Sequence, residues 1–386
     1  MTRRQRLMAT LAGKAVDRPA VSFYEVGGWN ILAACDDEDE FNVYNDPSWR
    51  PLAELAENET DLIRMVGVGW LDGPGGEIGD KSGPGAVSYE HWREGGSKFT
   101  RTTLTCRDRK LTSVTRRDSD TMTVWTVEHL LKGADDLKAY LELPEGAWPR
   151  QPDAAAFEAV EAELGEAGIV MIEMGDPLCE AAGLFSMADY TVAAMTEPAL
   201  FHELLQRMAR RIHEQTEAIA RGLPGRLWRI CGSEYASEPY LPPRLYGEYA
   251  ARYTGPMVAS IQRYGGFARI HSHGRLRGVL PHIAEMAPAA LDPCEPPPQG
   301  DMELAELRRQ IGRETVLMGN IESSDLENLP PTEFEKKVMR ALAEGTAGEG
   351  RGFVLMPSSC PYGRRISADT LANYETMVRL AKGWGG

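Results

Sequence analysis

Short apolar runs recur along the chain and alternate with longer segments whose apolar residues repeat with helical spacing. A run of about four to eight apolar residues is typical of a buried strand, and a repeat of three to four residues is typical of an amphipathic helix. The runs predict eight strands, at residues 20–26, 63–68, 168–173, 227–231, 267–271, 290–293, 315–318 and 353–356. They are short enough to be strands buried on both faces.

The helical segments between these runs carry signals for their ends. Pro198 opens one helix, and apolar residues follow at every fourth position from 200 to 212. Thr332 and Glu335 have the spacing of a capping box at the start of another. Strand and helix alternate eight times, which predicts a (β/α)₈ barrel of the TIM type, with a doubly wound open sheet as the alternative.

Residues from about 75 to 130 interrupt this alternation. The segment begins rich in glycine and then alternates threonine, arginine and valine with apolar residues. That pattern predicts an antiparallel β-hairpin inserted near the N-terminus, covering one end of the barrel. We therefore expect residues 1–386 to form a single barrel domain with an insertion at 75–130.

Composition and charge narrow the function classes. The 386 residues are 42% hydrophobic, enough for a full core. A formal net charge of −15 disfavours nucleic-acid and anionic-membrane partners, because phosphate groups would repel the protein. No apolar stretch is long enough to span a membrane, and the basic N-terminus lacks the apolar core of a signal peptide. We expect a cytoplasmic protein that acts on a small molecule.

The strongest chemical signal is a pair of histidines at the end of the fifth predicted strand. His271 and His273 are two residues apart, so on a strand they would project from the same face. Glu295 and Cys360 also follow short apolar runs. Imidazole, carboxylate and thiolate are all zinc ligands, and the four residues are predicted to bind one catalytic zinc. Alternatively, the two histidines are hydrogen-bonded residues of the barrel interior. Glu295 could instead hydrogen-bond to a metal ligand or to the substrate without binding the metal itself.

Three further polar residues follow other predicted strands. Glu234 and Tyr235 follow the fourth, and Asn320 follows the seventh. In these barrels the chemistry lies at the carboxyl ends of the strands, which makes the three candidate catalytic residues. Glu234 is predicted to accept or donate a proton, and the alternative for it is an ion pair in the barrel mouth.

Several motifs resemble those of the uroporphyrinogen decarboxylase superfamily, which includes zinc methyltransferases acting with methylcobamide and coenzyme M. The resemblance covers nearly the whole chain. Its motifs are Arg4-x-Arg6-Leu7, Asp17-Arg18-Pro19, Gly232-Ser233-Glu234-Tyr235-Ala236, His271-Ser272-His273-Gly274-Arg275, Glu295-Pro296-Pro297-Pro298-Gln299-Gly300-Asp301 and Gly319-Asn320-Ile321.

The resemblance to the methyltransferase branch implies zinc ligands at His271 and Cys360. The chain also resembles the catalytic barrel of cobalamin-independent methionine synthase, which implies an additional glutamate ligand near the position of Glu295. This chain departs from the branch at His273, which stands where a cysteine is expected. A zinc ion with fewer thiolate ligands is a harder Lewis acid and suits an oxygen leaving group.

The favoured function is zinc-dependent transfer of a methyl group between a small thiol or methyl ether, such as a methoxylated aromatic, and a corrinoid carried by a partner protein. One alternative is a cofactor-free decarboxylase. Residues 23–29 lack the arginines that the decarboxylases of this superfamily use to bind porphyrin carboxylates. The other alternative is a barrel that binds a small ligand without catalysis, and a homodimer is left open.

Overall fold

A computed structural model describes residues 1–72, 83–348 and 350–385. Its strands are β1 Ala20–Val21, β2 Leu62–Val66, β3 Val87–Glu94, β4 Ser97–Thr105, β5 Lys110–Arg117, β6 Val124–Glu128, β7 Gly168–Gly175, β8 Leu227–Cys231, β9 Phe267–His271, β10 Ala290–Asp292, β11 Val316–Ile321 and β12 Phe353–Pro357.

Helices connect these strands. The α-helices are Arg3–Leu11, Tyr24–Gly28, Ile31–Ala34, Trp49–Glu59, Ala134–Leu141, Ala154–Leu164, Pro177–Ala182, Met187–Thr196, Pro198–Gly222, Arg244–Tyr246, Arg252–Arg263, Leu280–Met286, Leu304–Gln310, Ser323–Asn328, Pro331–Gly345 and Ala368–Gly383. Among the helices described, none is long and apolar enough to cross a membrane.

Eight parallel strands curl into the predicted TIM-type barrel. They pair in the order β1-β12-β11-β10-β9-β8-β7-β2. Two hydrogen bonds join the ends of this order: the Asp61 amide donates to the Val21 carbonyl over 2.7 Å, and the Val21 amide donates to Asp61 Oδ2 over 3.0 Å. The interior is apolar at its amino-terminal end, where Leu7 and Leu11 of the first helix pack against strand residues such as Ile169.

The sequence predicted most strands closely, and the differences have clear causes. The bounds of β8 and β9 are as predicted, but the first run forms a strand only at Ala20–Val21, because the chain turns into helix Tyr24–Gly28. The helix opened by Pro198 is confirmed and extends to Gly222. The Thr332 capping box is wrong, because helix Pro331–Gly345 begins earlier, after Pro330, without a side-chain cap.

The predicted hairpin insertion is larger than a hairpin. Strands β3 to β6 form a four-stranded antiparallel sheet, since the segment supplies four alternating runs and not two. Residues 75–82 of the predicted insertion lie outside the described residues. The loop between β5 and β6 contacts the loop after β12, because the Met122 amide donates to the carbonyl of Tyr362 over 3.2 Å.

Candidate active site at the barrel mouth

Ionisable side chains follow seven of the eight barrel strands at their carboxyl ends, and this end of the barrel is called the mouth. They are Glu25 after β1, Glu173 and Asp176 on and after β7, Glu234 after β8, His271 and His273 on and after β9, Asp292 and Glu295 on and after β10, Glu322 after β11 and Cys360 after β12. Parallel strands bring these positions to one end of the barrel, where such folds carry their chemistry.

Five of the charged or polar side chains at the mouth bond to one another in an unbroken chain across β7 to β10. These five residues, Glu173, Arg229, His271, Asp292 and Arg269, form the barrel network. Arg269 donates two hydrogen bonds to Asp292, and neither side chain is exposed. Asp292 Oδ2 lies 2.8 Å from His271 Nδ1, and Arg229 lies 2.9 Å from His271 Nε2 and bonds to Glu173.

The network fixes the protonation of His271. Burial lowers the pKa of His271 to about 3, with Arg229 adding to the shift against the opposing charge of Asp292. The imidazole is therefore neutral at physiological pH. Its Nδ1–H donates to Asp292, and its Nε2 lone pair accepts from Arg229. Burial would raise the pKa of Asp292, but Arg269 and His271 hold it far below its usual range.

His273 lies directly above this network, paired with Glu295. Its Nδ1 is 2.7 Å from Glu295 Oε1, and its ring meets the His271 ring edge to face, with centroids 4.5 Å apart. The other oxygen of Glu295 accepts from the amide of Gly274 over 2.6 Å. Burial would lower the pKa of His273, but the hydrogen bond to Glu295 and the charges of Glu295 and Glu234 raise it to about 9. His273 is therefore protonated near neutral pH.

Glu234 lies on the neighbouring loop, held by a tight turn. Its Oε2 accepts from the amide of Gly232 over 3.0 Å. Gly232 has φ +119°, and a Cβ there would meet the Cys179 Cβ at 2.3 Å, so this turn requires glycine. Burial raises the pKa of Glu234, although the charges of His273 and Arg229 oppose the shift. A carboxyl of raised pKa beside a cationic imidazole can exchange protons with a bound substrate.

The other two predicted catalytic residues, Tyr235 and Asn320, contact other parts of the barrel. The Tyr235 backbone carbonyl accepts from the Tyr190 hydroxyl over 2.7 Å, and its ring packs 6.3 Å from that of Tyr240. Asn320 is 8% exposed and lines a cavity of about 110 Å³ between the loops after β10 and β11 and helix Pro331–Gly345. Their catalytic roles stay predictions.

Cys360 lies on the β12–β1 side of the mouth, apart from the histidine pair. Its amide donates to Glu25 Oε2 over 2.7 Å, and its sulfur is 3.8 Å from the sulfur of Met122. The side chain is 1% exposed. Burial and the charge of Glu25 raise the pKa of this thiol well above its usual value. Without a bound cation, a thiol in this environment keeps its proton.

The four predicted zinc ligands do not fit a metal ion as they are arranged. Both nitrogens of His271 have partners, and His273 and Glu295 bond to each other. Within residues 1–72, 83–348 and 350–385, no three His, Cys, Asp or Glu side chains are placed to hold a metal together. Zinc stays a prediction from the sequence.

Sequence reasoning missed the charged partners of the histidines. Arg229, Arg269 and Asp292 lie inside apolar strands, at positions that face the barrel interior. The available signal was the two-residue period: Arg269 precedes His271 by two residues and so shares its face. A charged residue within a buried strand needs a charged partner, and that expectation leads to Asp292.

Comparisons with known proteins agree on the family and the fold. The profile of the uroporphyrinogen decarboxylase (URO-D) family matches residues 134–382, well over half of the chain. A solved structure described as a methyltransferase from Methanosarcina mazei is 14% identical, with a TM-score of 0.58 and 99% of each chain covered.

A D-psicose 3-epimerase from Clostridium cellulolyticum H10 is 9% identical, with a TM-score of 0.31, covering 60% of this chain and 90% of the epimerase. That likeness is too low to support an argument. No curated protein matches the sequence significantly.

Proposed function

The chain belongs to the uroporphyrinogen decarboxylase family, and we propose that within this family it is a methyltransferase. It moves a methyl group between a small methyl ether or thiol and a corrinoid carried by a partner protein. The name of the structural neighbour from Methanosarcina mazei is one support. The observation that carries the proposal is the arrangement of Glu234, His273 and Glu295 at the mouth, where Arg269 is fully paired and Arg229 is paired in part.

Pairing of the arginines argues against decarboxylation of a polycarboxylate. Such a substrate needs cations with spare charge to bind its carboxylates. Arg269 is fully paired with Asp292, and Arg229 shares its charge with Glu173, so at most one guanidinium has hydrogen bonds left for a substrate, where a polycarboxylate would need several. The remaining mouth residues are mostly carboxylates, and Glu25 stands in the segment where the decarboxylases have arginines. A molecule with several negative charges would be repelled there.

The same residues suit methyl transfer, in which little charge needs to be bound but a proton must be moved. Glu234 would accept the proton of an acceptor thiol, or return one to the oxygen released from an ether. Glu295 holds the His273 ring, so that the imidazolium keeps a fixed orientation above the barrel network. A fixed cation beside the reacting oxygen favours the charge that develops as the bond to methyl breaks.

The corrinoid is proposed to be carried by a separate protein. Within the described part of the chain, every strand belongs to the barrel or to the inserted sheet. When bound, a corrinoid supplies the cobalt centre that exchanges the methyl group. This chain would bind the small substrate in the mouth, orient it and limit access of water from the side of the inserted sheet.

The test uses the visible spectrum of cobalamin as the readout. Purified protein is incubated with methylcobalamin and a panel of small thiols, and separately with reduced cobalamin and methoxylated aromatics. We expect the protein either to remove the methyl group from methylcobalamin or to methylate reduced cobalamin. Glu238→Gln is the matched control for Glu234→Gln, since Glu238 follows Glu234 in the chain and is an exposed glutamate paired with Arg275. No spectral change with any substrate, in protein that is folded, would contradict the proposal.

A further inference from the structure

Arg229 occupies the side of His271 where a metal ion would have to bind. Its guanidinium donates to the Nε2 lone pair over 2.9 Å, while Asp292 holds the opposite nitrogen. One lone pair cannot serve a guanidinium and a metal at the same time. In this arrangement the partner of His271 Nε2 is the guanidinium of Arg229.

The position of this guanidinium is held from three directions. Glu173 binds one terminal nitrogen, His271 accepts from the other, and the Tyr24 ring lies 5.6 Å away. Arg229 is 9% exposed, but the Glu173 side chain beside it is 36% exposed, so the mouth reaches this level of the barrel. Arginine keeps its charge at any physiological pH.

The guanidinium also has hydrogen-bonding capacity left. Its Nε is buried and, among the described residues, has no hydrogen-bond partner. Each terminal nitrogen carries two hydrogens, and one on each is used by Glu173 or His271. A buried donor without a partner costs free energy, which a bound acceptor would recover. An oxyanion is the acceptor that a guanidinium binds best.

We propose that Arg229 is the catalytic cation of this mouth, in the place of a zinc ion, and that it binds the oxyanion released from a methyl ether. This rests on the proposed methyl transfer and names its substrate class. The carbon–oxygen bond breaks, both electrons stay on the oxygen, and the methyl carbon bonds to the nucleophile that the partner supplies. Arg229 donates hydrogen bonds to the oxyanion, and Glu234 then returns a proton to it.

Two substitutions and one control test the role of the guanidinium. Arg229→Gln keeps a donor for His271 but removes the charge, and Arg229→Lys restores a charge without the planar fork. The control is Arg226→Gln, because Arg226 precedes the same strand at the opposite end of the barrel and pairs with Glu161. The probes are 4-nitrophenolate, as the released oxyanion, and 4-nitroanisole, as its methyl ether, with binding measured by calorimetry.

We expect Arg229→Gln to bind the phenolate about tenfold to a hundredfold more weakly than wild type. Arg229→Lys should recover part of this loss, and Arg226→Gln should show none. Binding of the neutral ether should change little in all three. Equal phenolate binding by wild type and Arg229→Gln would overturn the proposal.

Metal content is an independent readout. After incubation with zinc and desalting, we expect far less than one zinc per chain in wild type and in Arg226→Gln. Stoichiometric zinc in wild type would overturn the replacement of the metal by Arg229. If phenolate binding and zinc content behave as expected but no methyl transfer occurs, Arg229 keeps its oxyanion site and the proposed function fails. If methyl transfer occurs but Arg229→Gln binds the phenolate as tightly as wild type, the proposed function stands and the oxyanion site at Arg229 fails.

Discussion

On the β7–β10 side of the barrel mouth, charged side chains bond to one another in a continuous network. On the β12–β1 side, by contrast, Glu25 accepts hydrogen bonds from uncharged donors, which are the hydroxyls of Tyr24 and Ser359 and the backbone amide of Cys360. The sequence suggested one metal joining the two sides. The difference shows that side chains at the same end of the barrel do not necessarily contact one another or form one site. Their partners on adjacent strands decide which of them meet.

The largest effect should come from breaking the barrel network at its buried end. Asp292→Ala leaves the guanidinium of Arg269 without its counter-charge in a site closed to water. We expect the free energy of unfolding to fall by about 3–5 kcal/mol, measured by urea denaturation.

The control for this prediction is Arg379→Ala, which breaks the exposed pair with Glu335. We expect that change to cost at most about 1 kcal/mol, because water and salt screen exposed pairs. A loss in Asp292→Ala no larger than in the control would mean that the barrel network contributes no more to stability than an exposed ion pair does.

A second test concerns chemistry on the network side. Glu234→Gln keeps the shape of the side chain and removes its proton-accepting charge. We expect turnover to fall roughly a hundredfold while the urea midpoint stays close to that of wild type. Glu238→Gln should retain activity. If Glu234→Gln remains fully active, Glu234 is only a structural partner of the mouth, and the reacting groups must lie elsewhere.

The third test uses pH. The pKa of Asp292 is lowered by its charged partners, whereas the pKa of a buried carboxyl without a guanidinium partner is raised. Burial raises the pKa of Asp176 to about 7, with the charge of Glu234 adding to the shift against hydrogen bonds from Cys179 and Thr254. The folded protein then holds this proton up to higher pH than the unfolded chain does. Its contribution to stability is present below about pH 4 and is lost as pH rises through 7.

Asp176→Asn should remove this dependence. We expect the free energy of unfolding of wild type to fall with pH between about 4 and 7, and the variant to show a shallower slope. Urea denaturation at several pH values measures it. Parallel slopes in the two proteins would mean that other groups dominate the pH dependence.

The smallest effect is expected on the β12–β1 side. Cys360→Ala removes a buried sulfur from contact with Met122 and should cost about 1 kcal/mol of unfolding free energy. Turnover and zinc content should stay near those of wild type. Loss of both zinc and activity in this variant would show that a metal joins the two sides, and the comparison drawn above would be wrong.

The sequence alone determined the architecture and the location of the chemistry. Eight buried apolar runs separated by amphipathic helices can bury their surfaces only in a layered α/β fold, and polar residues after five of those runs marked the mouth. It also indicated that His271 and His273 lie together, because the period of a strand is two residues.

Only the tertiary structure decided what these side chains do. Arg229, His271 and Asp292 come from three different strands, and their contacts depend on the stagger between neighbouring strands. Periodicity within each run says nothing about that stagger. The ligand types are ones that zinc accepts, but in the fold Arg229 donates to the lone pair of His271, and Cys360 lies beside Glu25 on the other side of the mouth. Electrostatic roles are set by neighbours distant in sequence, whereas the fold follows from patterns along it.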